Sequence, residues 1–173
     1  MRRTSVVAWC VASLALFGCG EDGSETVSPY DRAPVPAVPD RTATVPIDGQ
    51  LPDGSYWATV VGADDGTIRL LVTQAFFAAA CTEQFGEAGC DGDIGVLEVP
   101  SREIEVSTST IEEVTVVDAE RRNYAVPPQE WSALASGAAP SADAPDGFAY
   151  RQFPYLVSVV GGEVRVARQI WLP

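Results

Sequence analysis

Cys81 and Cys90 enclose an eight-residue loop and sit among Glu83, Glu87, Asp91 and Asp93. Redox chemistry wants a Cys-x-x-Cys spacing and basic neighbours that hold a thiolate. Neither is present, and the surrounding carboxylates act in the opposite direction. Glu87, Asp91 and Asp93 offer hard oxygen ligands of the kind calcium takes, but Asp91-Gly92-Asp93-Ile94-Gly95 lacks the later acids of a calcium loop. A solvated acidic loop is the simpler reading, and no metal site is assigned. The chain has no His and all 11 of its basic residues are Arg. Serine–histidine and cysteine–histidine pairs, imidazole proton shuttles and histidine-ligated zinc are therefore excluded. So are Schiff-base lysines and the lysine of a phosphate-binding loop. The 24 Asp and Glu show no spacing that selects two as an acid–base pair. No catalytic residue and no cofactor is assigned. The aromatics Tyr56, Trp57, Phe76, Phe77, Tyr150, Phe153, Tyr155 and Trp171 fall on expected strands and a helix, where they read as core before they read as a ligand groove.

These residues belong to a chain with a formal charge of −13, which disfavours nucleic acid as a partner. Its first residues carry Arg2 and Arg3, then a 12-residue apolar run from Val6 to Phe17, then Gly18-Cys19. That order reads as a secretory signal peptide over 1–18, and the run is short of the roughly 20 apolar residues a membrane span needs. Leu16-Phe17-Gly18-Cys19 resembles the bacterial lipobox. The resemblance implies cleavage before Cys19, a diacylglycerol thioether on its sulfur, acylation (palmitate) of the new amino group, and an extracytoplasmic protein anchored to the cell membrane. Cleavage would discard Cys10 and leave 9 Arg against 24 acids. Cys81 and Cys90 would then be an even pair in an oxidising compartment, where a disulfide is expected.

From Cys19 to Gln50 the composition turns to Gly, Ser, Asp, Glu and Pro, with prolines at 29, 34, 36, 39 and 46. Such a segment has little apolar surface to offset its conformational entropy, so a disordered, Pro-rich tether is expected over 19–50. Residues 51–173 are long enough to form a single globular domain. Asp64-Asp65-Gly66 and Gly161-Gly162 predict two hairpins, the first joining Ser55–Ala63 to Thr67–Thr73, the second joining Phe153–Val160 to Glu163–Leu172. Gln74 to Phe85 reads as a short helix, and Pro127-Pro128 as the opening of another that ends near Gly137. Ile94–Val99, Glu103–Ser107 and Val114–Asp118 read as further strands. The expected class is α+β: a mainly antiparallel sheet or partly closed β-barrel of six to seven strands with two short helices.

Leu51-Pro52-Asp53-Gly54-Ser55-Tyr56-Trp57, then Thr67-Ile68-Arg69-Leu70 leading into Gln74-Ala75-Phe76-Phe77, and finally Gly162-Glu163-Val164 through Leu172-Pro173 resemble a family of small actinobacterial lipoproteins without an assigned activity. That resemblance spans most of 51–173 and implies localisation and fold style only. The resulting expectation is a membrane-anchored, non-catalytic binding or accessory module for an envelope ligand or protein. The alternatives are a carboxylate- or metal-dependent envelope enzyme and an ion or ligand sensor built on the acidic loop 83–93.

Overall fold

A computed structural model describes residues 29–171. The expected signal peptide, Cys10 and the expected lipidation site Cys19 lie outside the described residues. The strands are β1 (Asp31–Arg32), β2 (Gly54–Asp64), β3 (Thr67–Thr73), β4 (Ala75–Phe77), β5 (Ile94–Val96), β6 (Arg102–Ser107), β7 (Glu113–Val117), β8 (Asn123–Ala125), β9 (Tyr155–Val160) and β10 (Glu163–Gln169). Two helices accompany them, α1 (Ala78–Phe85) and α2 (Pro128–Ala135). Eight strands form one sheet in the order β1-β8-β7-β10-β9-β2-β3-β6, and β4 pairs with β5 beside it.

The class is α+β, as expected, but three details of the expected sheet differ. It has eight strands, it is not closed, and it is mixed: β10 runs parallel to β7 while every other neighbouring pair is antiparallel. The parallel pair arises because the last strand enters between β9 and β7. The two extra members, β1 and β8, are two and three residues long. Both hairpins form at the expected glycines. Gly66 (φ 75°) turns β2 into β3, and Gly161 and Gly162 (φ 61° and 79°) turn β9 into β10, in the positive-φ region that two-residue turns require.

Side-chain alternation divides the interior in two. On β2, Tyr56, Ala58 and Val60 enter the main core with Ile68, Leu70, Val157 and Trp131. Trp57 points the other way and packs with Ala75, Phe77, Leu156 and Ile170. The centre of the sheet is thus buried on both faces, with α2 against one and the β4–β5–α1 unit against the other. In the main core, Trp131 Nε1 donates to the Tyr155 hydroxyl (2.8 Å), which lies 2.9 Å from that of Tyr150. Burial drives the Tyr155 phenol well above its ordinary range, and the neighbouring Tyr150 adds to the shift, so it remains a neutral hydrogen-bonding group.

The residues expected to form helix from Gln74 onward divide at Ala78. Ala75–Phe77 form β4 and only Ala78–Phe85 are helical. The extended stretch puts Phe77 against Trp57 and Phe76 against Phe85, opposite placements that a strand supplies and a helical turn does not.

The tether expectation also changes. From Pro29 the chain is laid along the domain as a strap. Tyr30, Thr42 and Val45 are buried, the first and last in the main core. Backbone hydrogen bonds fix the strap at both ends: Tyr30 N to Ala125 O (2.8 Å) and Ala33 N to Asn123 O (2.9 Å) on one side, Thr42 N to Ala75 O (2.8 Å) and Ala43 N to Ser55 O (2.7 Å) on the other. Composition alone suggested too little burial to order this segment. Two well-placed apolar side chains and these backbone pairings supply what the average hid.

Arg41 tests this placement, since trypsin cleaves after exposed, mobile arginines. The Arg41–Thr42 bond should survive a native tryptic digestion that cleaves the same bond promptly once the protein is unfolded. Cleavage there as fast as in unfolded protein would contradict the docked strap.

Candidate functional site

On the outer face, the strap, the disulfide unit and the C-terminal end of the described chain enclose a cleft of about 340 Å3. Its apolar wall comes from Val35, Val38, Phe77, Ile94, Ile170 and Trp171. Arg121, Asn123 and Asp93 are its polar members. A concave, mainly apolar site with a few convergent polar groups is the usual form of a small-ligand pocket.

Each wall has a local cause. Phe77 donates its backbone N–H to Asp40 O (2.8 Å), which brings the strap against β4. Ala78 N donates to Asp93 O (2.7 Å), which joins the start of α1 to the turn before β5. Asn123, nearly fully buried, donates through Nδ2 to Pro34 O (3.2 Å). The Cys81–Cys90 disulfide expected from the sequence is present and braces the unit that carries Asp93 and Ile94. Gly95 lies so close to Phe85 and to Cys81 Sγ that an added Cβ would meet them at 2.4 and 2.8 Å. Only glycine fits that contact.

Arg121 is set by its neighbour in the turn between β7 and β8. The Asp118 carboxylate is almost fully buried and accepts from Glu120 N (2.9 Å), Arg122 N (2.9 Å) and Arg122 Nε (2.7 Å). Burial opposes its charge, but these hydrogen bonds and the Arg122 guanidinium outweigh that penalty and hold the carboxyl below its ordinary range. The turn leaves the Arg121 guanidinium 3.5 Å from the Trp171 ring centroid, a cation–π contact. Arg121 forms no ion pair among the described residues.

Among the described residues four non-glycines have positive φ, and three of them line this cleft: Ala78 (48°), Asp93 (67°) and Arg121 (66°). Such backbone costs about 1–3 kcal/mol per residue and clusters where function requires a particular shape. Across Val35 and Pro36 lies a second cavity of about 270 Å3, reached by Glu113, Thr115 and Arg168. The Thr115 hydroxyl is the one buried side-chain polar atom without a hydrogen-bond partner among the described residues.

The sequence candidates fare unequally. Tyr56, Trp57, Phe76 and Tyr155 are core residues, Tyr150 and Phe153 are half-buried, and Phe77 and Trp171 reach the cleft. Of the acidic loop, only Asp93 lies in the cleft. Glu83, Glu87 and Asp91 are exposed, and no three acidic or cysteine side chains converge to hold a metal among the described residues. Arg121 and Asn123 were not candidates. Their roles depend on the Asp118 turn and on a strap about 90 residues earlier in the chain, which no local pattern encodes. Compared with known proteins, the chain matches no family model, no curated protein and no solved structure.

Two outcomes follow from these contacts. Removing the disulfide with Cys81→Ser and Cys90→Ser together should lower unfolding stability by about 2.7 kcal/mol on the chain-entropy estimate, measured by urea denaturation. An unchanged midpoint would show that the unit needs no brace. Because the Asp118 carboxyl is depressed on folding, its contribution is present above the ordinary carboxylate range and is lost as pH falls through its lower folded value. Asp118→Asn should therefore be less stable than the parent at neutral pH, and the two should converge in strong acid. A stability difference independent of pH would contradict this role.

Proposed function

We propose that this chain is a lipid-anchored extracytoplasmic binding module that acts without catalysis, taking a small apolar ligand in the outer-face cleft. The observation that carries the reading is the coincidence of three left-handed non-glycine residues with the apolar walls and the Arg121–Trp171 stack. Support for the anchor comes from Leu16-Phe17-Gly18-Cys19 and the leader before it. Two acyl chains hold a protein on a bilayer without help from a basic patch, which suits an acidic chain. Nine residues separate Cys19 from Pro29, so the covalent chain limits the start of the strap to about 35 Å from the lipidated residue. The cleft would then face ligands close to the membrane instead of at the end of a long stalk. Among the described residues no three acidic or cysteine side chains converge as a metal enzyme would require, so nothing there supports that alternative.

The test uses the mature, anchored chain with decanol as the apolar probe and indole emission as the readout. Binding should perturb Trp171, and Val38→Asp at the exposed rim should weaken it about tenfold by charging an apolar wall. Cys19→Ala should release the chain from membranes without affecting decanol affinity. Membrane retention of that variant at mature size would refute the anchor, and decanol binding insensitive to Val38→Asp would refute the cleft.

A further inference from the structure

The sheet ends on one side at β6, which pairs with β3 through Thr67–Ser107 to Val72–Arg102 and has no strand on its other side among the described residues. In an antiparallel ladder, alternate residues direct their N–H and C=O groups away from the partner strand. On β6 those outward groups make no backbone hydrogen bond among the described residues. Beside this edge lies a groove of about 560 Å3 bounded on its far side by the β9–β10 hairpin. Its apolar floor is Leu51, Ile104, Val106, Val159 and Val164. Its charged groups are Glu103, Glu105, Glu163 and Arg102. Arg102 is occupied by Gly49 O, Glu103 by Arg69 and Glu163 by Arg165, whereas Glu105 is exposed and forms no ion pair among the described residues.

Exposed sheet edges are normally shielded by charge, a bulge or a covering segment, because they template further strands. Along β6 the more exposed positions carry Glu103, which Arg69 of β3 pairs with, and Glu105, which forms no ion pair among the described residues, alternating with the less exposed Ile104 and Val106. We infer that β6 accepts an extended segment of a partner protein as an added strand, with apolar side chains directed into the groove and a lysine or arginine directed over Glu105. Main-chain hydrogen bonds would supply affinity and the alternating pattern specificity. An acidic partner is opposed by the unpaired Glu105 and by the chain's net charge of −13. This site lies apart from the cleft and does not depend on it: the two share no lining residue.

The probe is a blocked heptapeptide alternating lysine and valine, added to the mature chain and followed by amide hydrogen exchange. Exchange should slow in β6, leaving the strap and the cleft unchanged. Replacing the lysines by glutamate, N-methylating the peptide's pairing amides, or introducing Glu105→Lys should each weaken binding by at least about tenfold. The inference is overturned by no binding, by protection centred elsewhere, or by affinity indifferent to peptide charge and N-methylation. It is equally overturned if β6 becomes protected with rising protein concentration and no peptide, since a second copy would then be the occupant.

Discussion

The sheet is buried on both faces at its centre, and the rest of the structure answers that constraint. A strand that places Tyr56 and Trp57 on opposite sides cannot leave either face in water without exposing a large aromatic. Helix α2 covers one face. The other is covered by the short β4–β5 unit with its disulfide and by the strap, which together make the walls of the cleft. Cover and candidate site are therefore the same material.

That arrangement explains why strain gathers where it does. A strap, a helix start, a tight turn and a C-terminal segment meet at one place, and each must change direction within a few residues. Ala78 and Asp93 are tied to each other by a backbone hydrogen bond, and Arg121 is held by the turn that Asp118 organises. On the main-core side, cover is lacking beside β6, where the sheet simply stops. An open edge next to an apolar groove differs physically from the cleft: it offers backbone hydrogen bonds, whereas the cleft offers shape and apolar contact.

Features legible in the sequence are those with a local cause. Glycines at 66, 161 and 162 set the hairpins, Pro128 opens α2, and Cys81 and Cys90 are close enough along the chain for their pairing to follow from compartment and count. Features that escaped are nonlocal. The strap has the composition of a disordered tether because what orders it is the match between particular donors on residues 30–43 and acceptors on β4, β8 and β2. The insertion of β10 beside β7 is a pairing across some fifty residues that neither strand announces. Positive φ at Ala78 and Arg121 has no residue-type signal, unlike glycine, so these two cleft positions are not legible from sequence.

The strap is the element on which the cleft stands, and its backbone pairings give the most direct test. Amide exchange of the mature chain should show Ala33, Thr42, Ala43 and Phe77, whose amides make the strap's pairings, exchanging as slowly as the amides of β7 and β10. Exchange of those four at the rate of an unstructured peptide, with β7 and β10 still protected, would mean that the strap does not cover the sheet and that the cleft does not exist in solution.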